Sequence, residues 1–149
     1  MSVETTNDML NRLLVIHSHS LPDFLADAYP SWKDKHVKAA EVLADIVDDQ
    51  RAVAARVGRL LVENDGVVAS GQFPDRFSSF HDLAYDFMLA QLIRYQDRMI
   101  AAIEQMVQRL PRASMAQGLA QEALGMAKAH RDALGDLQSE AAGKLTGGP

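Results

Sequence analysis

Four polar side chains, His17, Gln50, Gln96 and His130, stand near the centres of otherwise apolar helical stripes. They are the residues of this chain best placed to do chemistry. Each stripe is found by advancing about 100° per residue and locating the middle of the apolar arc. His17 falls within about 15° of the centre of the stripe Met9, Leu10, Leu13, Leu14, Ile16, Leu21 and Phe24. Gln50 interrupts Leu43, Ile46, Val47, Val53, Val57 and Leu61; Gln96 interrupts Tyr85, Leu89, Leu92, Met99, Ile100, Ile103 and Val107. His130 interrupts Leu119, Ala123, Met126, Ala133, Leu134 and Leu137. A neutral imidazole is a good ligand for zinc, iron or copper, whereas a glutamine amide is a weak oxygen donor. Two readings of such a layer stay open. One is a hydrogen-bonded network that fixes helix register; the other is a ligand, metal or cofactor site of the kind that helix bundles build from inward side chains at mid-height.

Other chemistry finds less support. The 20 acidic residues are the obvious hard ligands, but Asp49 and Glu122 lie roughly 75 to 80° from their stripe centres and Asp86 and Glu104 about 100° away. Glu41, Asp45 and Asp48 fall on the outer face with Lys38, Arg51 and Arg56, as on a solvated surface. Asp49 and Glu122 are the two carboxylates near enough to reach the layer as displaced ligands. His19 points away from the seam, and His36 and His81 sit near helix starts. His81 and Asp82 are no catalytic pair, because adjacent residues diverge by about 100° on a helix. Tyr85 reads as a core aromatic. Neither a phosphate-cradling glycine loop, a nucleophile elbow nor a His-Glu-x-x-His motif occurs. The chain has no cysteine, which removes disulfides, thiolate zinc sites, iron–sulfur clusters and cysteine nucleophiles. A net charge of −5 argues against gripping nucleic acid by bulk electrostatics. No apolar run reaches the roughly 18 residues of a membrane span, and the acidic start is no targeting signal, so a cytoplasmic location is expected.

The elements that must hold these side chains are four helices, expected at about residues 7 to 29, 32 to 64, 80 to 110 and 115 to 141. Capping patterns mark three starts: Ser31 with Asp34, Ser79 with Asp82, and Ser114 with Gln117. Asn64, Asp65 and Gly66 end the second helix. The first contains Pro22, whose ring clashes with the carbonyl four residues back, and Ser20 with Asp23 repeats the capping pattern, so that helix is kinked or restarted there. Short connections make helices one and two, and three and four, antiparallel neighbours. Residues 65 to 79 could span about 46 Å, close to the roughly 44 Å of a 29-residue helix. A crossover is therefore allowed. So is a simple up-down bundle with Phe73, Phe77 and Phe80 folded back on a surface such as Leu83, Phe87 and Ala90. The expected layout is one all-α domain, residues 1–142, with 143–149 a flexible tail. Gly118 and Gly125 let another helix approach closely, either in a homodimer or within the chain.

In architecture and layer height the chain resembles the ferritin-like superfamily over most of its length. It looks especially like uncharacterised bacterial ferritin-like proteins in the run Leu119-Ala120-Gln121-Glu122-Ala123-Leu124-Gly125 followed by His130, and in Gly71-Gln72-Phe73-Pro74 leading to His81-Asp82-Leu83. The resemblance implies a glutamate on each of two helices and Glu-x-x-His on the other two. Here the matching positions read Ala127-x-x-His130 and Val47-x-x-Gln50, with His17 and Gln96 in the single-glutamate places. The implied di-iron site is therefore expected to be lost. The expectation is a ferritin-like four-helix bundle without a cofactor, a non-catalytic binding or interaction protein that forms a homodimer. The alternative is a metal- or haem-binding redox or oxidase protein that uses His17 and His130, with iron, zinc or haem and with Asp49 and Glu122 as displaced ligands.

Overall fold

Two helices carry the first apolar stripe. In the computed structural model, which describes residues 1–28, 35–69, 71–74, 77 and 84–146, α1 spans Val3–Ser18 and α2 spans Leu21–Ala28. Ser20 caps α2, its Oγ accepting from the Asp23 N–H at 3.1 Å. Pro22 lies in the first turn of α2, where a helix has no internal use for its N–H. The kink expected at Pro22 is thus a full restart. At its other end α1 begins at Val3, earlier than the apolar spacing indicates, because Ser2 Oγ accepts from the Thr5 N–H.

The remaining helices are α3 (Val37–Glu63), α4 (Tyr85–Arg109) and α5 (Met115–Thr146). The Asn64-Asp65-Gly66 stop works through backbone geometry. Gly66 N–H reaches Leu61 O and Asp65 N–H reaches Val62 O, with Asp65 in the left-handed region at φ 57, which satisfies the last carbonyls of α3. At Gly66 the approach is close: an added Cβ would stand 2.8 Å from Asn7 Nδ2 and 3.2 Å from Leu61 O, so the Asn7 side chain would have to shift. At the start of α5, Ser114 Oγ accepts from the Gln117 N–H, while Gln117 Oε1 accepts from Ala113 rather than from Ser114. The Ser114 N–H is engaged by Pro111 O. The Ser31 and Ser79 capping patterns lie outside the described residues. α5 continues through Gly143 to Thr146, so the helix overruns the boundary expected at residue 142; residues 147–149 lie outside the description.

Contacts along the helices define their directions. α1 and α2 climb; α3 descends beside them, so that Asn64 at its end meets Asn7 near the start of α1 (Nδ2 to Oδ1, 3.2 Å). The described part of the next connection climbs again along α1. Asn11 Nδ2 donates to Val67 O and Asn11 Oδ1 accepts from the Ala69 N–H, each at 2.8 Å. Gly71 lies against Val15 and His19, and Phe73 packs on the His19 and Phe24 rings at 5.3 and 5.6 Å. α4 then starts at the upper end, where Tyr85 stacks on His36, the cap of α3, at 3.7 Å. It descends, and α5 climbs back, its Glu140 pairing with Lys38 at the top. The connection is a crossover, and α3 and α4 run parallel. Phe73 and Phe77 meet α1, α2 and Tyr95, whereas Phe87 is exposed; Phe80 and Leu83 lie outside the described residues.

The core divides in two along the bundle axis. A lower cluster holds Leu10, Leu13, Val57, Leu61, Ile103 and Ala120. An upper cluster holds Leu21, Leu43, Ile46, Phe77, Leu89 and Leu134.

Candidate functional site

Between the two apolar clusters lie the buried polar residues, which are His17, Ser20, Gln50, Gln96 and His130 among those described, all at most 8% exposed. They fall where one cluster ends and the other begins: Gln50, Gln96 and His130 are mid-helix, whereas His17, expected mid-helix, stands in the last turn of α1 and Ser20 at the cap of α2, on either side of the break between them. Burying five polar side chains in one slab is unfavourable unless each finds partners. The partners decide what the layer can do.

Gln50 is held on both sides. Its Oε1 accepts from Ser20 Oγ at 2.5 Å, and its Nε2 donates weakly to Met99 Sδ at 3.8 Å. Ser20 was visible in the sequence only as a helix cap; its second bond, across to α3, depends on how α2 restarts. Gln96 turns to α5, where its Nε2 donates to Ala127 O at 3.0 Å, and its Oε1 is buried without a partner. Gln96 therefore belongs to the layer by height but not to the group formed by the other residues.

The histidines share one arrangement. His17 Nδ1 lies 2.8 Å from Leu13 O, one turn back on α1. A carbonyl only accepts, so Nδ1 carries the hydrogen and Nε2 keeps its lone pair. His130 Nε2 lies 2.7 Å from Asp49 Oδ2. A carboxylate likewise only accepts, so the neutral ring keeps its lone pair on Nδ1, and that atom is buried without a partner. In each neutral ring one N–H is thus fixed by an outer acceptor, while the other nitrogen keeps a lone pair that can accept a hydrogen bond or bind a cation. This is the orientation that metal-bound histidines adopt. His17 and His130 line one narrow space with Asp49, Gln50, Met99 and Met126, too tight to admit a water molecule. Burial pushes the His17 imidazole down from its usual 6.5 to about 4; the hydrogen bond to Leu13 opposes the shift and His130 adds to it.

Of the two carboxylates expected as displaced ligands, one arrives. Asp49 is half exposed, and its side chain reaches inward to His130 from the rim. Glu122 does not reach the histidines: it stays on the surface in an ion pair with Arg56, whose hydrogen bond lowers its pKa. Among the described residues no three His, Cys, Asp or Glu side chains come together as a metal-ligand set. The residues do not fit the carboxylate-bridged di-iron centre that a ferritin-like fold implies. His19 ends α1 and packs its ring on Phe73. Tyr85, expected as a core aromatic, is half-buried: it packs against the upper cluster and stacks its ring on His36. His81 lies outside the described residues. What sequence reasoning missed is sulfur: Met99 and Met126 both face the histidines, yet at helical spacing each reads simply as core.

Gly118 and Gly125 have no packing partner within 4 Å of an added Cβ, so they do not serve close helix contact inside the chain. No helix among the described residues is long and apolar enough to cross a membrane. No protein-family model, curated protein or solved structure matches the chain.

Proposed function

We propose that the protein is a ferritin-like four-helix bundle without a di-iron centre, a non-catalytic binding protein whose buried His17 and His130 take up a single metal ion. The observation that carries this reading is the matched state of the two rings. Each has one N–H anchored, to Leu13 O or to Asp49 Oδ2, and His130 Nδ1 is left buried with nothing to accept from. An orphaned buried acceptor is unfavourable by about 1 to 3 kcal/mol, and a bound ion removes that penalty. The ferritin-like assignment draws support from the single long crossover, which this superfamily shares. The side chains around the two rings close on one another with no room for a water molecule, which excludes a haem and means that an ion would be bonded directly to the lining donors. The proposal includes self-association as a homodimer, for which the open surface over Gly118 and Gly125 gives room; a solution mass of one chain would overturn that part.

The test is anaerobic titration of the purified chain with Fe(II), Zn(II) and Cu(I), counting bound ions and following oxygen uptake after iron loading. The expected result is one ion per chain, no oxidase turnover, and loss of binding in His17→Ala and His130→Ala. Two tightly bound irons with turnover would overturn the reading, as would the failure of all three ions to bind.

A further inference from the structure

The metal-binding reading leaves open which ion the donors would select, and the residues around the two rings bear on that choice. We propose that the ion is copper(I), held by His17, His130 and the Met99 thioether, with Met126 beside them. The inference rests on the metal-binding reading above and goes beyond it in two respects, donor type and charge.

The first respect is the kind of atom that faces the space. Besides the two imidazoles, its lining offers the Met99 and Met126 side chains, the Gln50 amide, the Asp49 carboxylate already engaged by His130 Nε2, and the apolar Val53, Ala123 and Ala127. Thioether sulfur is a soft donor that selects copper(I), whereas carboxylate, carbonyl and water oxygens suit harder ions. Gln50 is poorly available as an oxygen ligand, because its Oε1 already accepts from Ser20 Oγ at 2.5 Å. Its Nε2 lies 3.8 Å from Met99 Sδ, a weak contact that fixes the thioether while leaving the sulfur a second lone pair. Met99 is buried, at 4% exposure. The donor set is therefore two imidazole nitrogens and a positioned sulfur.

Charge points the same way. As metal ligands both imidazoles and both thioethers are neutral, and the one anion that lines the space is Asp49, which acts through His130. Placing an ion in a buried site is unfavourable in proportion to the charge left unbalanced. One carboxylate balances a monovalent ion. A divalent ion such as Zn(II) or Fe(II) would keep a net positive charge between two apolar clusters, and no further Asp, Glu or His converges there among the described residues. Asp49, half exposed at the rim, also gives an incoming cation its way in.

Affinity for Cu(I) is measured anaerobically on the full chain by competition with bicinchoninate, and for Zn(II) by competition with a chromophoric zinc chelator. The expected result is one Cu(I) per chain, bound about a hundredfold or more tighter than Zn(II). Met99→Leu conserves volume and should leave the fold intact, which its circular dichroism and melting temperature check. It should weaken Cu(I) by about tenfold or more and leave any Zn(II) binding within about threefold. X-ray absorption at the copper edge should show sulfur beside nitrogen in the parent. Zn(II) or Fe(II) binding in preference to Cu(I), an unchanged Cu(I) affinity in folded Met99→Leu, or a copper edge with only nitrogen and oxygen neighbours would each overturn the copper assignment while leaving the histidine site standing. If no ion binds at all, the underlying metal-binding reading falls with it.

Discussion

Asp49 shows how much one side chain can change the character of a buried ring. It begins on the outer part of α3 and ends 2.7 Å from His130 Nε2, which fixes the tautomer from outside. Residues that orient a ligand in this way typically contribute ten- to a hundredfold in affinity. Asp49→Ala should therefore weaken metal binding by about that factor, with helix content unchanged by circular dichroism. His17 makes the metal-free protein sensitive to acid. Its folded pKa of about 4 lies below the ordinary 6.5, so between those values the unfolded chain binds a proton that the native chain refuses. Stability is then fully present above about pH 7 and declines as pH falls, by about 2 kcal/mol at pH 5 from this group. The ring faces His130, with Asp49 behind it. Urea unfolding of metal-free His17→Gln at pH 7 and pH 5 should show a correspondingly flatter dependence. Gln96 gives a contrasting case. Its Oε1 is already orphaned, so Gln96→Met should be neutral or stabilising within about 1 kcal/mol, because it removes a buried unsatisfied atom. A loss much larger than that would mean that the bond to Ala127 O outweighs the orphan.

At the scale of helices and turns, two residues among those described that are not glycine take up the left-handed region, Asp65 at φ 57 and Ala113 at φ 62. Asp tolerates the left-handed region through its short polar side chain, but alanine has no such help. Ala113→Gly should raise stability by about 1 kcal/mol, or about 3 °C in melting temperature, by relaxing the turn that leads into α5. The helix stripes were legible in the sequence because burial repeats with the turn: Leu43, Ile46, Val53, Val57 and Leu61 are all buried as their spacing requires. So were the heights of His17, Gln50, Gln96 and His130. Rotation angle, however, describes where a Cα–Cβ bond starts rather than where a flexible side chain ends. Asp49 and Glu122 start at nearly equal angles; the difference is that Arg56 stands beside Glu122 and His130 faces Asp49. That choice depends on neighbours from other helices, which no single stripe contains. The same holds for Ser20, whose cap is local and whose bond to Gln50 spans 30 residues.

For the whole molecule, the direction of the long connection was open in the sequence because its reach only just equals a helix length. Asn11 accounts for part of the outcome. It offers one donor to Val67 O and one acceptor to the Ala69 N–H, a pairing of residues 56 and 58 positions apart that local patterning cannot reveal. Asn11→Ala should lower stability by about 1 to 2 kcal/mol and speed amide exchange at Ala69, with exchange in the middle of α4 and α5 changed no more than the global loss explains. The crossover also sorts the chain into two sequence-local hairpins: α1 and α2 with α3, joined at the α3 end by the Asn7–Asn64 bond, and α4 with α5. His17 and Asp49 belong to the first hairpin, and His130 and Met99 to the second. The halves meet along both apolar clusters, and the buried layer crosses that seam between them. An ion bound there would act as a rivet between two modules that can each form early in folding, and its occupancy would report whether they have closed on one another.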